Sequence, residues 1–324
     1  MRTILAGIIA LGAWGAGACQ AAAADLRVVV TVKPIHSLVA AVMAGAGEPK
    51  LLIDGNRSPH TFVLKPSDTK ALHTADVVLR VSDTLEPFMI KVLKSLPKTV
   101  RVVTLAEVPD LTLYAMRMGG TFEEHAHEKG GSHAGHSHGK SGHNHGKGQE
   151  EKGQDGHIWL DPANAKLMAT HIAAVLATEA PEHADRFKTN AAALSVKLDA
   201  LSAELERDLK PLAGKSYVVF HDAYQYLEQR YGLAPVGSVT ISPDIASSAK
   251  RLTELRRKIS GLKATCVFAE PQFEPKLVGT VVEGTNAHKG TLDPEGATIP
   301  AGPDLYFTLM RALAANLKAC LDPG

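Results

Sequence analysis

Fifteen histidines stand among 324 residues, and their distribution is uneven. His125, His127, His133, His136, His138, His143 and His145 crowd into the segment Thr121 to Gly156, interleaved with Gly, Lys, Glu and Ser. Neutral imidazole binds zinc, copper and nickel well. A tract without apolar periodicity cannot bury a face, so it is expected to be disordered. The segment reads as a loose collector of several metal ions at low affinity. It is a strong signal for metal and a weak one for which metal. A solvated, pH-sensitive linker is the plainer alternative.

Three other histidines share a different context. His60 ends the turn-rich Asp54-Gly55-Asn56-Arg57-Ser58-Pro59, which follows the strand-like Leu51-Leu52-Ile53. His157 opens His157-Ile158-Trp159-Leu160-Asp161-Pro162, where the His-rich tract gives way to an apolar run. His221 follows Tyr217-Val218-Val219-Phe220 and precedes Asp222. All three fall at strand ends or adjoining loops, where α/β sheets collect ligands. His36, His73, His171, His183 and His288 lack that combination. Asp293, in Thr291-Leu292-Asp293-Pro294, is a further candidate. Three imidazoles with a carboxylate or water make a tetrahedral zinc site, whereas manganese favours more oxygen donors. Asp161 and Asp222 follow their histidines too closely to chelate, and read as imidazole orienters or helix caps.

The elements that must position these residues alternate. Strands are expected at Leu26 to Val32, Asp76 to Ser82 and Arg101 to Leu105, with helices from Ser37 towards Ala46 and over Leu85 to Leu96. The rhythm returns after residue 210. Strands are expected at Ser216 to Phe220, Pro235 to Thr240 and Ala264 to Ala269, with helices at Tyr224 to Tyr231 and Ala249 to Ser260. Such alternation implies an α/β fold with parallel sheets, here in two lobes over 25–180 and 211–324. Between them, over 181–210, Phe187, Ala191, Leu194, Leu198, Leu201 and Leu205 form one helical stripe. A linking helix from Glu182 to Leu209 would span about 42 Å. It reads as a strut packed across both lobes that limits hinging. A coiled-coil seam is the alternative.

The first 24 residues look like an address. Arg2, the apolar run Ile4 to Ala18 and Ala22-Ala23-Ala24 before Asp25 have the pattern of a cleavable signal peptide. A lipoprotein anchored at Cys19 is less well supported, since Ala16 stands where a bulky aliphatic is usual. No later apolar stretch approaches a spanning helix, so an exported, soluble protein is expected. Export also leaves Cys266 and Cys320 as an even pair in an oxidising compartment, where a disulfide is the default and two buried thiols the alternative. Apolar residues at 45% against 21% charged exclude disorder throughout. A net charge of +1 gives no bulk electrostatic grip on nucleic acid.

Taken together, these blocks resemble the ZnuA family, the cluster A-I solute-binding components of bacterial zinc ABC transporters. The resemblance rests on Thr31-Val32-Lys33-Pro34, His60 with Pro66-Ser67-Asp68, the His-rich loop and His157-Ile158-Trp159-Leu160. It extends to Phe220-His221-Asp222-Ala223-Tyr224, Cys266-Val267-Phe268-Ala269-Glu270-Pro271-Gln272-Phe273 and Thr291-Leu292-Asp293-Pro294. It implies two β/α lobes on one long helix with Zn2+ as cargo in the cleft. By the same resemblance His60, His157 and His221 are ligands, and Asp293 stands where manganese-binding relatives place a cleft aspartate. Cys266 and Cys320 match the family's disulfide. The implied partners are a membrane permease with its cytoplasmic ATPase, and an accessory periplasmic zinc carrier; a monomer in the periplasm is expected.

Two departures matter. Pro59 replaces a glutamate that some members place before the first ligand, so the fourth position falls to water or Asp293. Ser238 replaces a histidine near an auxiliary site in some members, which argues against an ordered second site there. Two other classes compete. A zinc hydrolase would need a general base, and no H-E-x-x-H or other hydrolase motif is present, so no enzyme is expected. An adhesin or passive metal buffer would need only the His-rich tract.

Overall fold

The computed structural model describes residues 26–117, 153–240, 249–262, 264–273 and 276–322. The signal peptide expected over residues 1–24 and the seven histidines from His125 to His145 lie outside them. The first half builds a sheet from β1 (Val28–Val30), β2 (Lys50–Leu51), β3 (Val77–Arg80) and β4 (Arg101–Thr104). The second builds one from β5 (Ser216–Val219), β6 (Ala234–Ser238), β7 (Cys266–Ala269) and β8 (His288–Thr291). The strand orders are β2-β1-β3-β4 and β6-β5-β7-β8, and every pairing is parallel. The two sheets thus share one topology. In each, the order reverses beside the first strand of the set, which opens a crevice at the carboxyl ends.

Helices cross between the strands. They are α1 (Lys33–Met43), α2 (Pro66–Thr74), α3 (Met89–Leu93) and α4 (Pro162–Glu179) in the first half. The long α5 (Ala184–Leu209) follows, and then α6 (Gln225–Tyr231), α7 (Ala249–Leu262), α8 (Lys276–Val282) and α9 (Leu305–Leu321). The strand–helix alternation is therefore realised as two parallel α/β sheets joined by one long helix. Boundaries differ where proline intervenes. Helix α1 starts four residues before Ser37, because Pro34 in its first turn has a helical φ and needs no donor. Helix α3 is shorter than Leu85 to Leu96. Glu86 precedes Pro87 and is steered out of helical geometry. Its carboxyl instead accepts the Val81 and Ser82 backbone N–H groups at 2.8 and 3.0 Å, beyond the end of β3.

Helix α5 begins at Ala184, after a 3-10 turn over Pro181–His183. Its buried side chains are Phe187, Ala191, Leu194, Leu198, Leu201, Leu205 and Leu209, the expected stripe extended by one residue. They belong to one apolar core that runs from β1 and α1 through α4 and α5 to α9. A smaller core, including Val218, Phe220, Leu255, Val267 and Val281, lies with α7 and α8. The larger core crosses both halves, so wide hinging would have to expose it to water. Cys266 of β7 is bonded to Cys320 of α9, which ties the last helix to the second sheet. Among the described residues no helix is long and apolar enough to cross a membrane.

Candidate metal centre

His221 lies two residues beyond the end of β5, and Glu270 directly follows the end of β7. Because β5 and β7 are neighbours, the two side chains meet at the crevice. The His221 backbone N–H donates to Glu270 Oε1 at 3.3 Å, and its Nδ1 lies 2.8 and 2.7 Å from the two carboxylate oxygens. The Tyr224 hydroxyl donates to the same Oε1 at 3.2 Å.

The first half repeats this device with other residues. Asp155 Oδ1 accepts from the His157 backbone N–H at 3.0 Å and lies 2.7 Å from its Nδ1. Gly156 between them is required by packing, since a Cβ there would fall 2.7 Å from Leu85 Cβ. A carboxylate on each Nδ1 selects the tautomer in which Nδ1 carries the proton and Nε2 offers a lone pair. The two Nε2 atoms face each other at 3.4 Å. Lone pairs at that distance repel unless a cation or proton lies between them. Two nitrogens at zinc–nitrogen distance from one tetrahedral ion would be about 3.3 Å apart.

His60 completes the group. It sits in the loop after β2, and ligand atoms of His60, His157 and His221 all lie within 4.8 Å of one another. The ring centroids are 5.4 Å apart for His60 and His157, 5.6 Å for His60 and His221, and 5.2 Å for His157 and His221. His157 and His221 are buried, whereas His60 is partly exposed at the rim. Three imidazoles that are more than 60 residues apart in sequence are thus brought together.

Asp293 is not in that group. Its Oδ1 accepts from Gln272 Nε2 at 2.8 Å and from the Glu295 and Gly296 backbone N–H groups at 3.1 and 3.0 Å. Its Oδ2 accepts from Ala297 N–H at 2.7 Å. The carboxylate organises the turn after β8. Asp161 caps α4 through Ala163 N–H at 2.8 Å, and Asp222 pairs with Arg117, so neither orients an imidazole. Asp155 and Glu270 do, and sequence reasoning missed both. Asp155 lay inside the tract read as disordered, yet 153–156 are ordered. Ala115 and Gln154 form an antiparallel bridge, and Asp155 N–H donates to Tyr114 C=O at 3.0 Å. The nearby Asp-Gly-His was the available signal. Glu270 had none, because only the sheet order sets it beside His221. Elsewhere His36 bonds the Pro49 carbonyl at 2.9 Å, His73 bonds Thr69 of its own helix, and His288 is exposed on β8.

The electrostatics favour a cation. Buried carboxyls Asp155 and Glu270, with partly buried Asp222, lie about the two inner imidazoles, and Arg117 pairs with Asp222 and with the buried Glu228. Burial pushes Asp155 up to about 7 and Glu228 up to about 8. Burial, aided by His221, holds His157 well below the ordinary imidazole value. Burial also lowers His221, but the charge and hydrogen bond of Glu270, with Asp222 and Asp155, outweigh it, and the net shift is upward.

The model of the zinc-uptake complex component A periplasmic family, ZnuA, matches residues 28–320. The chain belongs to the ZnuA family. It is 46% identical to the high-affinity zinc uptake system protein ZnuA of Brucella suis biovar 1 over 319 residues, covering 95% of this chain and 96% of that protein. Among solved structures it resembles a crystal structure of ZnuA with a TM-score of 0.75 at 23% identity, covering 92% and 100% of the two chains. It also resembles Lmb of Streptococcus agalactiae, described as a bifunctional protein with adhesin and metal transporting activity. That likeness has a TM-score of 0.71 at 25% identity and covers 91% and 100%. The matched span includes His60, His157 and His221.

Proposed function

We propose that this protein captures Zn2+ in the periplasm and delivers it to the membrane permease of a zinc ABC transporter, driven by a cytoplasmic ATPase. The observation that carries this reading is the facing pair of Nε2 atoms at 3.4 Å, each backed by a carboxylate, with His60 beside them. In it His60, His157 and His221 hold the ion and water takes the fourth position. The signal peptide occupies residues 1–24, and the lobes are 25–180 and 211–324, joined by 181–210. The histidines from His125 to His145 gather further zinc weakly and raise its local concentration. The mature protein acts as a monomer, with an accessory periplasmic carrier among its partners.

Zinc-bound water is also a nucleophile in hydrolases. Here Asp155 and Glu270 are spent on holding imidazoles, which supports a site for cargo rather than for activating water. Titration of the purified mature protein with zinc and manganese in competition tests the reading. One tight zinc per chain, retained against excess manganese, is expected. Preference for manganese, or no tight ion, would overturn it. The likeness to Lmb favours adhesion as a second reading, and plate binding to laminin would test that separately.

A further inference from the structure

The ribbon that carries Asp155 reaches across the molecule. Its strands, 114–116 and 153–155, are joined by the Ala115–Gln154 bridge, and the Met116 N–H donates to Gly153 C=O at 2.5 Å. Tyr226 of α6 fastens it from the second half. The Tyr226 hydroxyl donates to Asp155 C=O at 2.8 Å and accepts from Tyr114 N–H at 3.2 Å, and the two rings lie 5.1 Å apart. Arg117, the next residue of the ribbon, sends its guanidinium into the same half. Nε lies 3.1 and 3.0 Å from the Asp222 carboxylate oxygens. Nη2 lies 2.8 Å from Glu228 Oε2 and also contacts Asp222. Glu228 in turn accepts from the Tyr217 hydroxyl at 3.3 Å. Asp222 is the residue after His221, and Asp155 is bonded to His157.

We propose that Arg117 is a positioning residue of the metal centre, fixing the separation of His157 and His221 by tying the Asp155 ribbon to Asp222 and Glu228. This rests on the zinc-binding reading above. The planar fork of arginine suits two carboxylates at once, which a lysine ammonium cannot match. Metal–ligand distances keep within about 0.2 Å of their standard values, so a ribbon released by a fraction of an ångström must be drawn back when the ion binds.

The test uses the full mature protein, with one equivalent of zinc partitioned against a chelator and the visible absorption of the cobalt(II) form. Arg117→Met should weaken zinc binding about tenfold, the low end for outer partners of metal ligands, and shift the cobalt bands. Arg117→Lys should recover part of both. Asp222→Asn, which preserves shape, should act in the same direction and carries the test if Arg117→Met does not fold. Wild-type affinity and an unchanged cobalt spectrum in Asp222→Asn and in folded Arg117→Met, at whatever melting temperature, would overturn the role of Arg117 alone. Absence of tight zinc in the wild type would overturn the functional reading beneath it.

Discussion

Glu270 and His221 are 49 residues apart, yet the carboxylate of one grips the imidazole Nδ1 of the other at 2.7 and 2.8 Å. The contact exists because β5 and β7 lie side by side, so the residues just beyond their carboxyl ends share a crevice. Asp155 does the same for His157 from within its own loop. The two oriented imidazoles expose Nε2 to a common point, and His60 approaches it from the rim.

Replacing His60, His157 or His221 by alanine should each weaken tight zinc binding by at least about 100-fold, beyond the range for outer partners. Replacing any one histidine from His125 to His145 should leave it unchanged. Calorimetric competition with a chelator measures both, and equal effects in the two groups would sink the ligand assignment.

Glu270→Gln and Asp155→Asn keep the shape of the side chain while removing its charge. Each should lower zinc affinity about 10- to 100-fold. Glu270→Gln should also move the pH at which binding fails downward, since Glu270 is what raises His221. An unshifted pH profile in Glu270→Gln would contradict that account.

The ordering of 153–156 makes the limits of a loop deletion decisive. Removing 121–152 should retain one tight zinc per chain while lowering the total bound. Extending the deletion to residue 156 removes Asp155 and should weaken the tight ion as well. Metal analysis after dialysis distinguishes them, and loss of the tight ion with 121–152 alone would count against a cleft site.

Asp293→Asn tests whether this carboxylate belongs to the turn or to the ion. All four of its partners are N–H donors, so an amide must turn its own N–H2 against at least one of them. A stability loss of about 1–3 kcal/mol is expected, with zinc affinity within tenfold of wild type. A folded variant that loses zinc as fully as His221→Ala would make Asp293 a ligand.

Metal-free stability and the increment that zinc adds to it should depend on pH with opposite signs. Asp155 and Glu86 titrate near 7 and Glu228 near 8 in the folded chain, all raised by burial. Above the unfolded carboxylate range near 4, the folded state therefore holds more protons, and metal-free stability falls as pH rises towards 8. His221, raised, loses its stabilising contribution in the same direction. His157, lowered, acts against this trend only below the ordinary imidazole range, so it does not alter the expectation above pH 6.5. Zinc needs His221 neutral, so affinity should drop about tenfold per pH unit below its raised value. Melting scans from pH 6.5 to 8 should show the metal-free midpoint falling and the increment from zinc growing. A constant increment would rule this out.

Much of the architecture was legible in one dimension, because parallel sheets write themselves as apolar runs alternating with amphipathic ones. The α5 stripe from Phe187 to Leu205, recurring every three or four residues, was unmistakable. His60, His157 and His221 also stood out, since strand ends and turn-rich loops are visible locally. What sequence could not supply was the meeting of residues from different strands. Glu270 beside His221, and Arg117 across from Asp222, depend on strand order and on how the two halves dock, which no local pattern encodes. Asp293 shows the reverse: a carboxylate in the right neighbourhood, whose backbone donors only the folded turn brings to it. Local chemistry singled out three candidate imidazoles; tertiary packing decided which carboxylates hold two of them, because hydrogen bonds of that kind answer to distance in space and not along the chain.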